Sequence, residues 1–112
     1  VSFIETLKDA AVADTDVLRR LDEGGDRFEL FRDVDFVLVT KDPDTANALR
    51  DFINDYQFGY ASLGEDSTEV RVIVHMPVTQ NVIFCITGFM RCIAKEFDAE
   101  LDGWGCFEQS DT

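Results

Sequence analysis

Four consecutive apolar residues, Phe36-Val37-Leu38-Val39, sit between Asp35 and Thr40-Lys41-Asp42-Pro43. Apolar side chains at both parities of a strand read as burial on both faces, so a strand over residues 34–40 is expected at the centre of its sheet. A helix start comes directly after it. Asp42 can accept the free N–H groups of a first turn, Pro43 suits the first helical position, and Asp44 suits the positive helix end. That helix is expected to run to about Tyr56. Ala46, Leu49, Phe52, Ile53 and Tyr56 share one side, while Asn47, Arg50, Asp51, Asn54 and Asp55 share the other.

The remaining segments take their places around this pair. Residues 60–64 form a weak, polar strand, and residues 69–76 a strong one with Val70, Val72, Val74 and Met76 on one face; Glu65-Asp66-Ser67 between them makes a hairpin. Thr79 is the expected N-cap of a second long helix over about residues 80–97, with Gly88 inside it allowing a close neighbour. The closing strand is one in which Asp98, Glu100 and Asp102 alternate with Ala99 and Leu101. Ahead of everything, residues 2–21 carry helical periodicity. Asp14-Thr15-Asp16 could cap a fresh turn, so this is either two helices with a break near Ala13 or one bent helix; Gly24 or Gly25 ends it. Residues 109–112 are expected to fray.

The order strand, helix, strand, strand, helix, strand is the split βαβ pattern. The expected fold class is therefore α+β: a ferredoxin-like βαββαβ sandwich with a four-stranded antiparallel sheet and an additional N-terminal helix. The chain is expected to form a single domain over 1–112, with a helical segment at 1–23 and a ferredoxin-like core at 27–108. Strands 34–40 and 69–76 should be central. The first of them needs cover on its second face, and the N-terminal helix is expected to supply part of it.

Ten basic against 23 acidic residues give a net charge of −13. Direct binding to nucleic acid or to an anionic membrane needs a positive patch, so neither is expected, and the natural partner is a basic protein surface. No apolar run approaches the ~20 residues of a membrane span, and no secretory signal pattern is seen. Three cysteines, an odd number, argue against a disulfide framework and for a reducing compartment.

Candidate chemistry is thin. Three cysteines and one histidine match the ligand count of a zinc site. However, Cys85 and Cys92 lie roughly 10 Å apart along a helix, so buried structural cysteines are expected and no metal or cofactor. His75 reads as a hydrogen-bonded strand residue, and no nucleophile, phosphate-loop or metalloprotease motif is present. No catalytic residue is assigned. Asp98, Glu100 and Asp102, about 7 Å apart in steps of two, are either a solvated edge that blocks strand-to-strand aggregation or a docking surface for a Lys/Arg-rich chain with Trp104 as its aromatic anchor. The direction of Trp104 stays open, because Gly103 could introduce a bulge that returns the ring to the core.

The run Ala94-Lys95-Glu96-Phe97-Asp98-Ala99-Glu100-Leu101-Asp102-Gly103-Trp104-Gly105 resembles the close of the regulator of ribonuclease E activity B (RraB) family. Leu21-Asp22-Glu23-Gly24-Gly25-Asp26 and Phe58-Gly59-Tyr60 fit the same family, and the resemblance covers about residues 14–108. It implies a ferredoxin-like fold and a non-enzymatic, acidic, cytoplasmic bacterial regulator. Such a protein binds the basic, largely disordered scaffold half of an endoribonuclease and lowers its activity in RNA degradation. Asp98, Glu100, Asp102 and Trp104 are the expected partner-binding residues. The alternatives are a small-ligand-binding domain using the sheet face around His75, or a structural domain that forms a homo-oligomer through its sheet.

Overall fold

The computed structural model describes residues 2–107 and 109. The elements run α1 (Phe3–Glu23), β1 (Arg32–Val39), α2 (Pro43–Asp55), β2 (Tyr60–Leu63), β3 (Glu69–Met76), α3 (Gln80–Glu96) and β4 (Glu100–Gly105). The four strands form one antiparallel sheet in the order β2-β3-β1-β4, with β1 and β3 central. This is an α+β fold whose strand order is that of a ferredoxin-like sandwich preceded by a helix, as the order of periodicities implies.

Local chemistry explains most boundaries. The Asp42 carboxylate accepts from the Thr45 N–H at 2.8 Å, with Pro43 at the first helical position of α2. Asn54, near the end of α2, exchanges two hydrogen bonds with the Ala61 backbone and so fixes β2 against the helix. Gly25 takes φ +80° beyond the end of α1, and the Asp26 N–H returns to the Leu21 carbonyl, closing the last turn. Thr79 stands at the N-cap of α3, but its side chain makes no capping bond.

The core lies on one side of the sheet. Val34, Phe36 and Leu38 of β1 and Val70 and Val72 of β3 are buried beneath α2 and α3 with Leu49, Ile53, Ile83 and Met90. Five rings bridge the outer flank of the two helices: Phe52, Tyr56, Phe58, Phe89 and Phe97, the closest pair being Phe58 and Phe89 with centroids 4.7 Å apart.

Two expectations about α1 and β1 are corrected, and one alternative is decided. Of the two readings of the N-terminal segment the single helix holds, since α1 is continuous through Ala13; but it packs on α3 rather than on the far face of the sheet. Consequently β1 is buried on one face only; on the other, Val37 is half-buried and Val39 is 39% exposed. The close approach of α1 to α3 uses Gly88: a Cβ there would stand 2.5 Å from the Leu7 Cδ2 atom. Gln109, expected to fray, is tied in. Its N–H donates to Asp26 Oδ2 at 2.9 Å, and its carbonyl accepts from the Arg27 N–H at 2.6 Å. Residues 110–112 lie outside the described residues.

Candidate docking surface

The C-terminal run departs from simple alternation at two points. First, Asp98 is not part of β4. It has φ +56° and ends α3: the Asp98 N–H donates to the Lys95 carbonyl and the Ala99 N–H reaches back to the Ala94 carbonyl at 2.7 Å. A short acidic side chain tolerates this left-handed position better than most. Second, the pairing of β4 with β1 shifts by one residue between Val37 and Leu38. Leu101 stands opposite Leu38, but Gly103 stands opposite Val37, which leaves Asp102 as the extra residue of a bulge.

The bulge decides where Trp104 points. Without it Trp104 would share the face of Glu100. With it, Leu101 and Trp104 both lie opposite buried residues, Leu38 and Phe36, on the helix side of the sheet. The ring is half-buried there, and its Nε1–H donates to Asp14 Oδ1 at 2.9 Å. Asp14 is 2% exposed on α1 and accepts a second bond from the Thr87 hydroxyl of α3. One carboxylate thus joins α1, α3 and β4. Burial raises its pKa above the ordinary carboxylate value, while Thr87, Trp104 and the Arg91 charge pull the other way without cancelling that rise.

The three carboxylates therefore do not form one strand-face stripe. Asp98 is in the turn, where it accepts from the Lys41 ammonium at 2.8 Å in an exposed pair. Glu100 lies opposite Val39 on the sheet face turned away from the helices, and Asp102 is exposed on the bulge. Asp98 and Glu100 line a common depression with Lys41 and Lys95, so local cations already balance part of their charge; Asp102 and Trp104 stand apart from it. Exposed pairs of this kind contribute little to stability but leave the carboxylates accessible to an incoming cation.

Other groups singled out in the sequence fall elsewhere. His75 is exposed, with Nδ1 3.1 Å from Asp33 Oδ1 and its ring beside Phe31. The cysteines are free, but the expectation that all are buried does not hold: Cys85 is exposed, and Cys92 and Cys106 are half-buried. Among the described residues, no cluster of three or more His, Cys, Asp or Glu side chains could hold a metal ion. Sequence reading missed the Asp14 junction and the ion pair of Arg32 with Asp26 (Nη1 to Oδ2 2.6 Å, side chains 3% and 0% exposed) that anchors the C-terminal segment. An acidic residue inside a helical apolar stripe, such as Asp14, was the available signal.

No curated protein matches the chain. The family model described as regulator of ribonuclease activity B matches residues 11–106, which span α1 from its middle onward and every strand. The chain belongs to the regulator of ribonuclease activity B (RraB) family.

Proposed function

We propose that this protein is a non-enzymatic, acidic, cytoplasmic regulator that docks on a basic segment of an endoribonuclease and modulates RNA decay. The observation that carries the reading is the family membership taken together with a net charge of −13. A strongly acidic domain attracts an arginine-rich chain over a range set by the Debye length, about 8 Å at physiological salt. Such attraction speeds encounter and disfavours direct competition for the RNA itself. Asp98, Glu100 and Asp102, all exposed at the end of the fold where α3 passes into β4, are the carboxylates we assign to that contact. Trp104 supports it from beneath, holding the bulge that projects Asp102 against α1 through Asp14.

The test is a cleavage assay. Affinity capture from native lysate at low and high salt identifies a candidate endoribonuclease. The purified enzyme is then followed on an RNA substrate with increasing amounts of this protein. Cleavage is expected to slow, and to slow less as salt rises. The variant D98N/E100K/D102K is expected to lose most of the effect while melting near wild type, because all three side chains are exposed and Asn also tolerates the left-handed position at 98. Cleavage indifferent to the wild-type protein at every salt concentration refutes the reading.

A further inference from the structure

Beyond the turn at Asp98, the sheet presents its uncovered face. By register this face carries Asp35 and Val37 from β1, Ile73 and His75 from β3, and Gly103 and Gly105 from β4. A trough of about 730 Å³ runs along it. Its shape comes from the sequence of β4: Gly103 and Gly105 add no side chain on this side, and a Cβ built at Gly105 would meet nothing within 4 Å. Phe31 and Phe107, both largely exposed, stand at one end of it.

Asp35 lies at the floor, half-buried between its cross-strand partners Ile73 and Gly105. Among the described residues its side chain has neither a hydrogen bond nor an ion pair, and the charges nearby have partners of their own. Asp33 faces His75 at 3.1 Å, Arg71 leans toward Glu69 at 3.7 Å, and Arg32 is buried against Asp26. A carboxylate partly withdrawn from water between apolar groups gains more from an incoming cation than an exposed one does. The lining also suits the rest of such a side chain. Val37 and Ile73 can cover an aliphatic stem, and the exposed faces of Phe31 and Phe107 favour a guanidinium over an ammonium.

We propose that this trough receives an arginine side chain of an extended basic polypeptide, with its guanidinium on Asp35 and its stem on Val37 and Ile73. This inference deepens the docking reading above and rests on it, adding a specific pocket to a diffuse acidic surface. Charge complementarity selects the occupant. A second copy of this chain, also at −13, is repelled as a whole, whereas a basic segment is attracted to it.

The experiment is a binding titration of the full chain with fluorescent oligo-arginine and oligo-lysine peptides of equal length. Asp35→Asn is compared with Asp16→Asn, which removes one charge from the exposed face of α1. Gly105→Leu fills the trough without changing charge and serves as an independent second variant. Oligo-arginine is expected to bind more tightly than oligo-lysine. Asp35→Asn and Gly105→Leu should each weaken it by roughly tenfold, the loss of one hydrogen-bonded charge contact; Asp16→Asn should change it little. Equal losses for Asp35→Asn and Asp16→Asn, with Gly105→Leu silent, overturn the pocket and leave the acidic-surface reading standing. No binding of either peptide by the wild-type chain defeats both. Self-association that Gly105→Leu abolishes would give the face to a second copy and overturn the proposal.

Discussion

Asp14→Ala is the perturbation that most directly tests how α1 is held. The Asp14 carboxylate is the acceptor for both the Thr87 hydroxyl and the Trp104 Nε1–H. Its removal affects the two donors unequally. The Thr87 hydroxyl can turn to the Ile83 carbonyl, already 3.0 Å away, at little cost. The Trp104 N–H is left without an acceptor in a half-buried site, and a void opens between α1 and α3. Leaving a buried donor unsatisfied costs about 1–3 kcal/mol, which for a domain of this size lowers Tm by roughly 5–15 °C. Asp14→Asn should behave differently. Its carbonyl still accepts from Trp104, its amide can donate to Thr87 while Thr87 donates to Ile83, and no charge is buried.

The pH dependence gives a second view of the same site. Because burial raises the pKa of Asp14 in the folded protein, the native state holds this proton more tightly than the unfolded chain. Stability contributed by Asp14 is then greatest at low pH and falls as pH rises from the unfolded carboxylate value, about 4, to the raised folded value. Asp14→Asn lacks this term, so it should equal or exceed wild type at neutral pH, and its advantage should shrink toward acid. Thermal melts followed by far-UV circular dichroism and by the fluorescence of Trp104, the only tryptophan, measure both effects. An Asp14→Ala variant that melts with wild type, or an Asn variant as damaged as the Ala one, refutes the reasoning.

Two further outcomes are expected. Asp26→Ala should destabilise by up to about 3–5 kcal/mol, because it leaves the buried Arg32 guanidinium without its carboxylate and held by backbone carbonyls; urea denaturation reads this, and Asp26→Asn should do less harm by keeping an acceptor. Asp42→Ala should lower the urea midpoint slightly through loss of the α2 cap. The Thr45 backbone N–H holds the Asp42 carboxyl below its usual value, so the cap's contribution is present above the unfolded pKa and lost as pH falls below it. The gap between wild type and Asp42→Ala should therefore narrow in denaturation curves taken at about pH 3.

The Asp14 junction and the glycine-lined trough give the two sides of β4 different roles. Toward the helices, Leu101 and Trp104 tie the strand to the core and to α1. Away from them, Glu100 and the bare backbone of Gly103 and Gly105 meet solvent beside Asp35. One inserted residue, Asp102, separates these roles: it moves Trp104 across the sheet and leaves the outer face without a bulky side chain.

Much of this protein is written in local pattern. The period-two runs of β1 and β3, the Asp42-Pro43 start of α2 and the glycines after α1 each act within a few residues, so the sequence alone determined the elements, their order and the strand arrangement that order favours. The RraB-like close of the chain was also legible, since it rests on residue identity. What lay beyond reach were decisions made between distant segments. Whether the second face of β1 is covered depends on where α1 docks, and Gly88 and Asp14 draw it to α3, with Asp14 and its partner Thr87 separated by 73 positions in the chain. Whether Asp98 and Trp104 share a strand face depends on a helix cap and a register shift, each a small backbone adjustment invisible to periodicity. Simple alternation requires every residue from Asp98 onward to be extended and paired one to one; the tertiary structure, by seating Leu101 and Trp104 together over the core, required that they were not.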